Sequence, residues 1–225
     1  MRQIKSVILA SLFAAFVSTP TIAASGSEYR QLGLSYRQQG RFDDAIAAMR
    51  KSVELEPQNT PGRVNLGWTL HLAGQEREAA VSLWQAIYQK PFHDAAYNAL
   101  GIVYLVEGNL SAAVLIHTWA AVLKPENEVA YYNLSLALNR LKVNEIAIAT
   151  ANYAAKLEPN NPHPLVAAAV AYWDSGNLTL AQSFYRQAIN LDNRYKDTSF
   201  LSHLQQAAFN REQIDSAKRI LASLK

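Results

Sequence analysis

Cysteine is absent from all 225 residues of the chain. Its absence excludes disulfides, thiolate metal sites, cysteine nucleophiles and lipid-modified cysteines, and it leaves the protein indifferent to an oxidising compartment. A strong charge bias is missing as well. The formal net charge of +3 includes Arg2 and Lys5, and taking those two from the 21 basic residues leaves 19 against 18 acidic ones, or +1. The longest basic cluster is as slight as Lys218-Arg219. A protein that neutralises many phosphates needs clustered Lys and Arg, so nucleic acid is not an expected partner. The five histidines, His71, His93, His117, His163 and His203, lie far apart, with no i, i+4 pair of the kind that makes a helical zinc site. Glycines occur singly, which excludes a phosphate-cradling loop and a nucleophile elbow. No metal, cofactor or catalytic constellation is expected.

What the chain does have is 50% hydrophobic and 17% charged residues, a balance that buries a core and is unlike that of a disordered polymer. At the start, Arg2 and Lys5 precede an apolar stretch from Ser6 to Val17, and Thr21-Ile22-Ala23-Ala24 offers small residues to a signal peptidase. That stretch is about 12 residues, against the roughly 20 that span a bilayer. Residues 1–24 are therefore expected to be a cleaved secretory signal. The expected destination is periplasmic or otherwise extracytoplasmic, with no stable membrane insertion after cleavage.

Three ladders then share one period. Pro57, Pro91, Pro125 and Pro159 fall 34 residues apart, as do Ala45, Ala79, Ala113, Ala147 and Ala181, and Gly40, Gly74 and Gly108, with Gly176 two periods further on. In that register the units run 26–59, 60–93, 94–127, 128–161 and 162–195, each reading as two amphipathic helices. The glycines close the first helix, where positive φ turns the chain back at low cost. The alanines are placed midway along the second helix, where a small side chain allows close approach. Thr60-Pro61 and Asn161-Pro162 each read as a capping side chain before a first-turn proline. The fourth unit departs from the ladder with Lys142 in place of glycine and Ser135 after Leu134, and the fifth has Asn193 in place of proline. Lys196 and Asp197 are extra to the period, so 196–225 reads as a degenerate sixth helical pair acting as a C-terminal cap.

Tyr29, Leu32-Gly33, Tyr36, Gly40, Ala45, Met49, Ser52 and Pro57 resemble the tetratricopeptide-repeat signature, and Tyr97, Leu100-Gly101, Tyr104, Gly108, Ala113, His117, Ala120 and Pro125 repeat it. His117 stands in the column of a core hydrophobe, which favours a packed histidine over a catalytic one. The resemblance implies an all-α, right-handed solenoid whose first helices line a concave groove. It places Arg37, Val64, Asn65, Trp68, Leu72, Asn98, Ile102, Leu105, Tyr132, Asn133, Leu136, Arg140 and Trp173 in that groove, with Val166 and Val170 beside them.

An exposed apolar strip of this kind is normally covered by a partner, although Trp and Tyr also fill interfaces between helices. Asn65 and Asn133 share a column and Asn98 lies one residue before it. Their amides either contact an extended peptide or bond within their own repeat. The carboxylate clamp of co-chaperones in this family is not matched, because Leu34, Ala95 and Ala99 stand where it requires polar or basic groups. The function expected is non-catalytic binding of an extended or helical segment of a client protein, in envelope assembly, secretion or complex biogenesis. The alternative is a self-associating scaffold in which the terminal helices of one array dock on another, forming a homo-oligomer.

Overall fold

The computed structural model describes residues 24–224. The export signal expected over 1–24 thus falls outside the described residues, except for Ala24. Five helical hairpins follow in tandem: α1 (Gly26–Gln38) with α2 (Phe42–Leu55), α3 (Thr60–Leu72) with α4 (Glu76–Gln89), α5 (Asp94–Glu107) with α6 (Leu110–Leu123), α7 (Glu128–Arg140) with α8 (Asn144–Leu157), and α9 (Pro162–Asp174) with α10 (Leu178–Leu191). The first helices of adjacent units touch one another, α3 with α5, α5 with α7 and α7 with α9, whereas each second helix packs on the first helices of its own and the next unit. First helices therefore form the inner wall of the solenoid and second helices its outer wall.

Local chemistry sets the boundaries. Gly40, Gly74, Gly108 and Gly176 all adopt positive φ, between 73° and 86°, at the turn between paired helices. Lys142 takes the same left-handed conformation, φ 62°, in the unit that lacks the glycine. Ser25 caps α1 reciprocally: its hydroxyl accepts from the Glu28 N–H at 3.2 Å while the Glu28 carboxylate accepts from the Ser25 N–H at 2.7 Å. Asn161 caps α9 as expected, accepting from the His163 N–H at 3.0 Å. At α3 the cap is Asn59, which accepts from the Gly62 N–H at 2.9 Å, and Thr60 is already helical. An amide one residue earlier reaches the free N–H that the Thr60 hydroxyl was expected to take.

The five ladder alanines are wholly buried. They lie at the end of the first turn of each second helix, nearer its start than the midpoint expected from sequence. Close approach of paired helices depends on another column. A Cβ added at Gly33 would lie 2.9 Å from Met49, one at Gly67 2.6 Å from Leu83, and one at Gly101 2.5 Å from the His117 ring. Unit four fills the same column with Ser135, and the residue in the facing column is Ala151, both buried. A larger residue on one helix is matched by a smaller one on the other, which preserves packing density.

Beyond α10 the expected helical pair is replaced by two 3-10 segments, Asn193–Lys196 and Phe200–Ala207, followed by one α-helix, α11 (Arg211–Ala222). Asp192 accepts from the Arg194 N–H at 3.0 Å and Asp197 from the Ser199 N–H at 2.8 Å, so side chains at the register break compete with continued α-helix. Ala208 ends the second segment at φ 63°. From there α11 lies against α9, with less contact to α10.

Candidate functional site

The inner wall divides into a closed and an open part. Over units three to five, Leu105, Tyr132, Leu136, Val166 and Val170 are buried in one cluster with Leu204, Phe209, Ile214, Ala217 and Ile220 of the tail. The tail lies on the wall like a ligand in a groove. A polar chain fixes it there. Gln213 donates from Nε2 to the Leu136 carbonyl at 3.2 Å and to Asn139 Oδ1 at 2.8 Å, Asn139 donates to Asp174 at 3.1 Å, and Ser216 of α11 donates to Asp174 at 3.2 Å. The same Gln213 accepts from the Asn210 N–H at 3.2 Å, so one buried side chain both caps α11 and binds it to α7. Tyr132 donates its hydroxyl to the Ala207 carbonyl and stacks obliquely near Phe209, ring centroids 6.0 Å apart.

Four residues expected on an open groove are buried instead and are therefore corrected. Tyr132 and Leu136 are covered by the chain's own C-terminal segment and Leu105 is buried in the same cluster, since apolar surface on the wall is removed from water by the nearest amphipathic helix. Asn133 is buried for a more local reason: its amide donates to the Val129 carbonyl at 3.0 Å, one turn back in α7. The asparagine column thus bonds within its own repeat at that position.

The open part runs over units one to three. Arg37, Val64, Asn65, Trp68, Asn98 and Ile102 are half-buried, and Leu72 is 41% exposed. Trp68 and Val64 pack on the core of the first three units with one side. The Trp68 ring also lies 5.0 Å from that of His71, which in turn meets Glu76 at 2.7 Å. Arg37 donates to Thr69 at 3.3 Å, and partial burial pulls its guanidinium below the ordinary arginine range. At the seam between the two parts a cavity of about 400 Å³ is lined by Val106, Arg140, Phe209, Ile214 and Lys218 among others. Arg140 is half-buried there, committed to the Leu105 carbonyl at 2.5 Å. Trp173 is half-buried against the tail cluster, so it belongs to the closed part.

His117, at the centre of the array, is wholly buried, and neither ring nitrogen has a hydrogen-bond partner. Burial pulls its pKa down to about 3, opposed by the backbone of Gly101. The ring is neutral and acts as packing. Among the described residues no group of three or more His, Cys, Asp or Glu is arranged to hold a metal ion.

Two tetratricopeptide-repeat family models match the sequence, one over residues 27–59 and another over 163–195, the first and fifth hairpins. The chain is a solenoid of tetratricopeptide repeats. Solved structures with this solenoid agree. A structure described as that of MamA protein is 24% identical, covers 75% of this chain and 92% of its own, and superposes with a TM-score of 0.65. TTC0263, described as a thermophilic tetratricopeptide-repeat protein in Thermus thermophilus, is 21% identical over 81% of this chain and 98% of its own, TM-score 0.65. A MamA fragment from Desulfovibrio magneticus is 18% identical over 75% and 95%, TM-score 0.67. At these identities the likeness is one of fold. Comparison with curated protein sequences finds no match.

Sequence reasoning did not identify the tail residues Phe209, Gln213, Ile214 and Ile220 as occupants of the solenoid's inner wall. A signal was present in Ile214, Ala217, Ile220 and Leu221, which make one apolar face on a helix opened by an Asn-x-x-Gln capping box.

Proposed function

We propose that this solenoid is a non-catalytic adaptor that binds a helical segment of a client protein on the open inner wall of units one to three, acting outside the cytoplasm after export. The observation that carries this reading is the seating of α11. The same wall, two units further along, holds an amphipathic helix by apolar burial plus a buried amide donating to a wall carbonyl. The open part offers the same materials: apolar side chains at Val64, Trp68, Leu72 and Ile102, and amides at Asn65 and Asn98, of which Asn98 has its Oδ1 buried without a partner. Helix-in-groove recognition uses anchors of this kind at helical spacing.

Envelope assembly, secretion or complex biogenesis is the setting that an exported adaptor fits. The test is a crosslinked pull-down from the extracytoplasmic fraction with the wild-type chain and with Trp68→Ala/Ile102→Ala. A partner captured by the first and lost by the second, with helicity unchanged by circular dichroism, supports the reading. Capture of an identical set by both sinks it.

A further inference from the structure

The outer wall carries a feature that client binding on the inner wall does not use. Three of the five second helices are free of charge through their middle: residues 79–89 of α4, the whole of α6 from Leu110 to Leu123, and 146–155 of α8. A helix on the surface of a soluble protein ordinarily turns a charged face to water. Here the water-facing residues include Val81, Trp84 and Tyr88 on α4, Leu115, Trp119 and Val122 on α6, and Ile146 and Tyr153 on α8, with Phe92 in the turn after α4. Tyr88 is 83% exposed, Phe92 85%, Leu115 58%, Trp119 50% and Val122 62%. In the flanking helices the columns of Trp84, Trp119 and Tyr88 are polar, with Arg50, Lys51 and Glu54 on α2 and Arg186, Gln187 and Asn190 on α10, while the column of Ile146 holds Leu180 on α10.

We propose that this outer face of α4, α6 and α8 is an interface between two copies of this chain. The proposal is independent of the client reading. Three observations select a second copy as the occupant. With about 200 Å² for a fully exposed aromatic residue, the five rings expose on the order of 600 Å², and the aliphatic residues bring the strip to roughly 900 Å². That exceeds the roughly 300–600 Å² of the largest apolar patch on a typical monomer and matches the ~800 Å² per partner of a standard stable interface.

Placement is the second observation. Two convex walls can touch only near their midpoints, and α6, the middle one of the five second helices, exposes Leu115, Trp119 and Val122, whereas α10 exposes Leu178, Leu180 and Leu191 toward its two ends and α2 exposes Leu55 at its last residue. The third is charge. A two-fold axis sets a patch against itself, so any charge within it meets its like unless offset. The centre of this strip on α6 has none, Glu78 at its margin is already paired with Arg50 at 2.5 Å within the chain, and Lys156 stands at the α8 edge in the column of Tyr88 and Val122. Apolar centre and polar rim are the anatomy of a protein interface.

The test is sedimentation equilibrium of the purified chain from micromolar to millimolar concentration, beside Leu115→Glu/Trp119→Glu. Both residues are exposed, and an unchanged circular dichroism spectrum verifies folding. A control, Gln187→Glu, lies on the polar rim. The expected result is a closed dimer whose dissociation constant rises by ~100-fold or more in the double variant, as loss of two central anchors requires, and is unmoved in the control. A monomer at every concentration overturns the proposal, as does a dimer that survives the double substitution or an open-ended series of oligomers. A monomer that instead co-sediments with phosphatidylcholine vesicles overturns it in favour of a lipid surface. Because no client enters this measurement, its failure leaves the inner-wall reading untouched, and loss of the client leaves the dimer untouched.

Discussion

Replacing His117 by leucine isolates one buried titratable group in the middle of the array. The ring is wholly buried beneath Gly101, with both nitrogens unbonded, and its folded-state pKa lies at about 3 against 6.5 for an ordinary histidine. The unfolded chain takes up the proton near 6.5 and the folded chain only near 3. Stability is therefore fully present above the unfolded value and is lost as pH falls toward 3. From pH 8 to pH 5 this one residue removes about 2 kcal/mol, since each pH unit below 6.5 costs about 1.4 kcal/mol until the folded state also titrates.

His117→Leu should abolish that component. Leucine suits the site, because Leu83 holds the same column in unit two against Gly67. It also removes two unsatisfied polar atoms, so a gain of about 1 kcal/mol is expected at neutral pH. Urea unfolding followed by circular dichroism at pH 8, 6 and 5 measures both effects. His163, which burial and His203 also hold below the ordinary histidine range, leaves some acid sensitivity in the variant. If wild type and variant lose stability in parallel between pH 8 and 5, the buried neutral histidine is not what the structure makes it.

Two further outcomes test the tail and the turns. Gln213→Ala strands Asn139 Oδ1 in the interior, takes a second donor from the Leu136 carbonyl and removes half of a capping box, at a cost of about 2 kcal/mol. Because each unit is held only by its neighbours, amide exchange should quicken first in α11 and last in α1, and uniform quickening would contradict the local account. Lys142→Gly relieves a left-handed lysine and should raise the urea midpoint by the equivalent of roughly 0.5–1 kcal/mol. The ion pair it loses, Lys142 to Asp174 at 3.6 Å, is weak because the lysine is exposed. An unchanged or lowered midpoint would count against the strain.

The hairpins were legible in sequence because each ladder residue has a local duty. Glycine supplies positive φ between helices, proline follows the end of a helix, and alanine is wholly buried at the end of the first turn of each second helix. The inner wall was less legible. Its columns at Leu105, Tyr132 and Leu136 are apolar whether a client or the chain itself covers them, and the covering helix begins far along the sequence at Arg211. Periodicity gives each helix an apolar face but not the identity of the surface that meets it. The outer strip had a plain signature, a 14-residue surface helix without a single charge. The family resemblance points to the inner columns and is silent on this outer face. Thr60 and Asn59 differ by one residue as the cap, a margin that sequence patterns do not resolve.

The most direct test of the central claim, that the open inner wall of units one to three binds a client, is site-specific photocrosslinking in the cells that make this protein. A photoreactive residue is placed at Ile102 on the inner wall, at Leu115 on the outer wall, or at Gln187 on the rim. The account predicts a heteromeric adduct of one reproducible mass from position 102, none from 187, and from 115 only the mass of two copies of the chain. Heteromeric adducts from position 115 with none from 102 would contradict it, placing the client on the outer face and leaving the inner wall to the chain's own tail.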